Sequence, residues 1–268
     1  MTKKMGCPGC RNADVNAFDI SFTMAFQPIV DVTDARIWGY EALVRGKNGE
    51  SAGQVMAQVN DTNRYAFDQA CRVTAIQLAG EKLDPNSDAM LSINFMPNAV
   101  YEPKACIRAT LAAASKAKFS LRRLMFEFTE NEEFEDVEHI KHIISEYKKM
   151  GFTSAIDDFG AGFSGLGLLA KFQTDLIKLD MELVRDIDSS PSRQAIVGGV
   201  MAMCKLMNQM VLAEGVETEA EARTLSQAGV TLQQGYYFAK PQVETFLSKT
   251  DIPAISKARL SSATEAAA

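Results

Sequence analysis

Short apolar runs recur along the chain, separated by stretches in which apolar residues return every three or four positions. The runs FTMAFQPIV, ARIWGYEALV, AMLSINF, LMFEFTE, FTSAIDD, TDLIKLD, QMVLAEG and GYYF are rich in β-branched and aromatic residues and read as strands. Segments such as Glu135 to Met150 and Ser192 to Asn208 carry the helical period instead. Strands alternating with amphipathic helices predict parallel βαβ units. Only VTDA separates the first two runs, too little chain for a crossover helix, so these two are expected to pair as an antiparallel hairpin.

Most of the strand-like runs finish on a polar residue: Glu41, Asn94, Glu127, the pair Asp157 and Asp158, Lys178 and Glu214. In a closed α/β barrel the C-terminal strand ends share one mouth, which brings residues distant in sequence into one pocket. The length of 268 residues suits a single domain of this kind. The expected fold is therefore α/β, a modified TIM-like (β/α)8 barrel with one antiparallel strand. Residues 1–17 are expected to form a flexible leader and residues 249–268 a C-terminal tail, with the folded domain over 18–248.

Charge and composition narrow the chemistry. A formal net charge of -6 disfavours a broad grip on nucleic-acid backbone, so direct DNA binding is not expected. No run of about 18 apolar residues occurs, and no apolar segment follows the basic start MTKK, so a cytoplasmic protein without a membrane span is expected. Cys71, Cys106 and Cys204 lie in helix-like surroundings and are expected to be buried free thiols. Cys7 and Cys10 form one C-x-x-C with no second pair at zinc spacing. The two histidines, His139 and His142, stand on a charged helix and read as an ordinary helix face.

The stretch AIDDFGAGFSGL supports three readings. Asp158-Phe159-Gly160 matches the kinase metal tripeptide, yet the chain has no H-R-D type loop. Gly160, Gly162 and Gly165 match a dinucleotide loop, but Asp157 and Asp158 would repel a pyrophosphate lacking a metal. The third reading makes the two aspartates metal ligands. Glu41, Asn94, Glu127, Asp157, Asp158 and Glu214 are all oxygen donors, a set suited to Mg2+ or Mn2+ rather than zinc. Taken singly, each has a structural alternative, such as Glu41 pairing with Arg45 or Asn94 capping a turn.

Eight motifs in order, FQPIVD, GYEALVR, SINF, FEFTE, IDDFGAGFSGL, LIKLD, LAEGVET and QQGYYFAKP, resemble the EAL-domain cyclic di-GMP phosphodiesterases, named for the triplet present here as Glu41-Ala42-Leu43. The resemblance covers about residues 20 to 247. It implies hydrolysis of cyclic di-GMP to linear pGpG by a two-metal mechanism, lowering the level of a second messenger. Glu41, Asn94, Glu127 and Asp157 would hold one divalent cation, and Asp157 with Asp158 the second. Ca2+ is expected to inhibit. Glu214 would be a ligand or the base for the attacking water and Lys178 a stabilising positive charge; which of them takes the proton stays open. Glu130 would hold the loop after Asp158, through which a homodimer is expected. Gln27, Leu43 and Arg45 resemble substrate contacts, with Asp180 a further candidate, Gln234 reaching the water shell of the metal and Glu217 supporting the same wall. Gly165, Phe163 and Gln173 depart from the usual loop sequence and bear on loop stiffness and dimer regulation rather than on ligands. The alternative is a catalytically silent cyclic di-GMP receptor or protein-interaction module, and regulatory input would come from a separate protein, the leader or the dimer. A Schiff-base lyase on Lys178 is disfavoured, because neighbouring carboxylates would keep the amine protonated.

Overall fold

The computed structural model describes residues 20–96, 100, 102–129, 137–162 and 165–252. Its centre is a closed sheet. Strands β1 (Phe22–Asp31), β2 (Arg36–Gly46), β3 (Met90–Asn94), β4 (Leu124–Thr129), β5 (Thr153–Phe159), β6 (Leu176–Leu179), β7 (Met210–Ala213) and β8 (Leu232–Gln233) form the wall, and the short β9 (Gln242–Val243) pairs antiparallel with β1 at Ala25 and Phe26. From β2 to β8 every neighbouring pair is parallel. β1 runs against both β2 and β8 and so closes the barrel as its one inverted member. The hairpin expected from VTDA is present.

Around the wall lie α1 (Ala52–Met56), α2 (Arg64–Lys82), α3 (Arg108–Ala117), α4 (Val137–Lys149), α5 (Gly165–Lys171), α6 (Pro191–Met207) and α7 (Glu219–Gln227), with shorter turns between them. The two helices expected over Glu135 to Met150 and Ser192 to Asn208 are α4 and α6. α6 starts where Ser190 accepts from the Arg193 N–H, with Pro191 in the first turn, and stops at Asn208 in the left-handed region. Two strand expectations need correction. GYYF is a turn after β8, not a strand, because Gly235 adopts φ 159° with its backbone against Val216. Glu41 is not at a strand end: β2 continues five residues beyond it, since its antiparallel partner β1 keeps supplying hydrogen-bonding edge.

The barrel interior is built in two layers, and the period-2 alternation of strands explains both. The lower layer is an apolar plug of Ile29, Met125, Ala155, Leu176, Leu212 and Leu232. Two positions along the same strands, on the same inward face, stand Gln27, Glu127, Asp157, Lys178, Glu214 and Gln234. A larger core packs the outward strand residues, such as Phe126, Phe128, Ile156 and Ile177, against the helices. Both faces of the strands are thus covered, as parallel strands require. Cys71, Cys106 and Cys204 are buried free thiols, as expected. Cys7, Cys10, the leader and all of the tail but its first few residues lie outside the described residues. Among the described residues no helix is long and apolar enough to cross a membrane.

Candidate functional site

The polar layer converges on Lys178. Its side chain is about 1% exposed, and Nζ lies 2.7 Å from Glu214 Oε1, 2.9 Å from Asp157 Oδ1, 3.0 Å from Glu127 Oε2 and 3.7 Å from Glu41 Oε1. With four carboxylates around it the ammonium acts as a central positive charge rather than as the partner of any one acid. Burial alone would lower the Lys178 pKa, but Asp157, Glu127, Glu214 and Glu41 lift it well above the ordinary lysine range.

One ammonium cannot balance five acids. Burial pushes Glu127 up to about 8, with Lys178 pulling the other way and Glu41 and Asp157 adding to the rise. Glu214 is likewise driven well above the usual carboxylate range, first by burial and then by Asp157, Glu41 and Glu127, despite Lys178. Asp157 goes the other way: burial would raise it, but Lys178 and hydrogen bonds around it leave it below the usual value. Asp158, half-buried beside Asp157, rises to about 6 through burial and that neighbour.

Adjacent strand residues normally face opposite sides, yet Asp157 and Asp158 both reach the mouth. The pairing of β5 with β6 breaks register between Ile156 and Phe159, and Asp158 adopts φ 56°, which re-aims its side chain. Asp tolerates this left-handed region better than most residues, and the Asp158 N–H donates to Asp157 Oδ1 at 3.0 Å. Gly160 follows at φ 100°, turning the chain away from the mouth.

Amides and a hydroxyl orient the acids. Gln234 Nε2 donates to Glu41 Oε2 at 2.6 Å and to Gln27 Oε1 at 3.2 Å, while Asn94 Nδ2 donates to Glu41 Oε1 at 3.3 Å. Ser92, one inward position before Asn94, donates to Glu127 Oε1. Two groups of acids then have one carboxylate oxygen each within 4.8 Å of the others: Glu41, Glu127 and Asp157, and Asp157, Asp158 and Glu214. They share Asp157. Glu127 Oε2 is buried with the Lys178 ammonium 3.0 Å away, so the negative charge of this oxygen is already aimed at the place where positive charge collects. The all-oxygen donor set fits hard divalent ions.

Most of the other predicted residues border this centre. Gln27, Leu43, Asp180, Glu217 and Gln234 line one cavity of about 290 Å3 with Asp158 and Glu214. Asp180 also caps the turn Met181–Val184, accepting from the Glu182 N–H at 2.8 Å, and Glu217 lies 3.5 Å from Arg185. Arg45 is not in that lining; it stands two residues beyond Leu43 on β2, and its Nη1 donates to the Val44 carbonyl at 2.7 Å. Glu130, Phe163 and Ser164 lie outside the described residues. Two groups were missed in the sequence. Ser92 could have been found from its place two before Asn94 in SINF. Arg185 and Arg193, on a neighbouring cleft of about 610 Å3 that shares Asp158 and Asp180, carry no local signal.

Residues 16–241 match the EAL domain family. The chain belongs to that family. A standalone versatile EAL protein from Vibrio cholerae O395, solved with c-di-GMP bound, is 54% identical, with a TM-score of 0.82 over 86% of this chain and 96% of that one. BlrP1 of Klebsiella pneumoniae, solved at pH 6 with manganese and cyclic di-GMP, is 35% identical, with a TM-score of 0.78 over 85% of this chain and 57% of that one. The antirepressor BluF of Escherichia coli K12, regulated by blue light and temperature, is 33% identical over 219 residues, 82% of this chain and 54% of BluF. Two other relatives are named cyclic di-GMP phosphodiesterases, and a third is named a probable one. The chain spans about half or less of the length of the curated relatives it matches.

Proposed function

We propose that this EAL chain is a phosphodiesterase that opens cyclic di-GMP to linear pGpG with the help of two divalent cations. The observation that carries the reading is the pair of acid triads sharing Asp157. Glu41, Asn94, Glu127 and Asp157 would hold one cation, and Asp157 with Asp158 the other, with Glu214 alongside. Mg2+ or Mn2+ bound there would supply acidity toward water and positive charge for the scissile phosphate. The cyclic di-GMP complexes of the Vibrio and Klebsiella proteins, the latter with manganese, support both ligand and metal class.

The chain's own residues have distinct tasks in this reading. Lys178, held protonated by four acids, is a fixed positive charge beside the reacting phosphate and cannot serve as base. Glu214, grouped with Asp157 and Asp158, would lose its proton when cations bind beside it, and as a carboxylate it is then the acceptor of the water's proton. Gln234 and Asn94 fix the Glu41 carboxylate through both of its oxygens. Leu43, Asp180, Glu217 and Gln27 form the wall that receives the nucleotide, and Arg45, further out on the same face of β2, offers a planar fork to a phosphate. Homodimerisation through the segment after Asp158 belongs to the same reading.

The test incubates chelator-stripped protein with cyclic di-GMP and Mn2+, Mg2+ or Ca2+ and resolves the nucleotides by chromatography. Linear pGpG should form with Mn2+ or Mg2+, very little with Ca2+, whose looser coordination positions water poorly, and none with Asp157→Asn. Tight binding of cyclic di-GMP without product would instead make the chain a receptor, in line with its likeness to an antirepressor.

A further inference from the structure

Outside the site, α2 carries a buried ion pair with no part in the chemistry above. Asp68 and Arg72, one helical turn apart, are 4% and 0% exposed, and Arg72 Nη2 donates to Asp68 Oδ2 at 2.7 Å. A buried pair of this kind is a poor device for stability alone, since apolar residues of similar volume often serve as well. Here, moreover, the pair is buried beside the Tyr147 hydroxyl, and desolvation weighs on both of its charges.

What the pair touches is the exit of β3. Asp68 Oδ1 accepts the Met96 N–H at 3.1 Å, and the Arg72 guanidinium lies over the Phe95 ring, 5.1 Å from its centre. The Phe95 N–H in turn donates to the Glu127 carbonyl at 3.0 Å. Residues 94–96 are therefore pinned on one side by α2 and on the other by the strand that carries Glu127. Phe95 is packed in the core among Phe126, Phe128 and Tyr147, while the other side of the segment borders a cavity of about 540 Å3 also lined by Leu43, Phe67 and Ile93, so packing holds it from one side only. Asn94 itself is exposed, and among the described residues its carboxamide is oriented by the 3.3 Å bond to Glu41.

We propose that Asp68 and Arg72 are positioning residues for the metal centre, fixing the Asn94 carboxamide through the Met96 N–H and the Phe95 ring. The inference rests on the reading of Asn94 as a ligand. The hydrogen bond from Met96 is its working part, while the ion pair keeps the Asp68 acceptor aimed.

The experiment measures Mn2+ binding directly, by calorimetry and by the loss of the free Mn2+ paramagnetic resonance signal, on wild type and two double variants. Asp68→Ala/Arg72→Met removes the acceptor without stranding a charge. Asp68→Asn/Arg72→Met keeps an acceptor for Met96. The alanine variant should bind Mn2+ about 10- to 100-fold more weakly, the range for residues that orient a ligand from behind, and the asparagine variant should recover most of that loss. Wild-type affinity in the alanine variant, or equal weakening in both, overturns the proposal. If the alanine variant does not fold, near-wild-type affinity in the asparagine variant upholds the proposal and a large loss there overturns it. Failure of wild type itself to bind Mn2+ would overturn the metal centre and this inference with it, a result distinguishable from a variant-specific outcome.

Discussion

Replacing Lys178 by methionine removes the one positive charge in the polar layer while keeping an unbranched stem among its neighbours. Three carboxylate oxygens lie within 3.0 Å of Nζ and a fourth at 3.7 Å, all from residues buried or nearly so. Deleting one partner of a buried ion pair costs about 3–5 kcal/mol, because the other charge is left unpaired. Protonation of Glu214 and Glu127 can absorb part of that cost, so the lower end applies near neutral pH. At about 2 °C per kcal/mol for a chain of this size, the metal-free variant should melt roughly 6–10 °C below wild type. The deficit should widen on going from about pH 6 to about pH 8, where proton uptake by Glu127 compensates less. Mn2+ replaces the missing charge, so it should raise the variant's Tm more than that of wild type. Calorimetric melts in chelator and across a Mn2+ titration measure all three effects. A variant that melts with wild type in chelator at the higher pH, and gains no more from Mn2+, would show that Lys178 is not the counter-charge holding the acids together.

Two more outcomes follow from the same geometry. Glu127 is raised from 4.5 to about 8 in the folded protein, so the stability linked to its proton is fully present below about pH 4.5 and lost as pH rises through about 8; Glu214 acts in the same sense. Denaturant midpoints of the metal-free protein should fall over that window while Mn2+ affinity rises, because ligands must lose their protons, and a midpoint that climbs with pH would contradict the assignment. Gly160→Ala places a Cβ at φ 100° and 2.5 Å from Leu183 Cδ1, so it should cost about 1–2 kcal/mol and weaken Mn2+ binding through Asp158; an unchanged denaturant midpoint would mean that the turn is not strained.

Barrel architecture was readable in the sequence because it rests on local signals. The apolar runs, the helical periods of α4 and α6 and the shortness of VTDA each act within a few residues. The acids were readable because strand alternation places a polar residue two positions from an apolar one on each inward face. Where the reading failed, tertiary contacts decide. β2 outlasts Glu41 because β1 lies beside it, and GYYF turns because Gly235 packs on the Val216 backbone. Nothing in FTSAIDD announces the register break that sends Asp157 and Asp158 to the same mouth. Asp68 and Arg72 read as one more polar pair on a helix until the fold buries them against the Met96 N–H.

The inverted strand explains why closing the barrel and building the site are the same event. β1 and β8 share only two paired positions, Val30 with Gln233 and Asp31 with Leu232. So short a ladder is a weak seam for an eight-stranded wall. Just past it, Gln234 bonds to Gln27 on β1 and to Glu41 on β2, bridging the seam with side chains where backbone pairing has stopped. The second of these bonds orients Glu41, and Lys178 holds the acids of β4, of β5 and of the residue after β7 around it. These acids come from strands spread over more than half the chain, so they converge only once the seam is shut. A divalent cation that binds the converged acids but not the unfolded chain therefore stabilises the closed barrel by its full binding free energy. Gln234 joins the seam to the first of those acids, so in the proposed two-cation site it would couple metal occupancy to barrel closure.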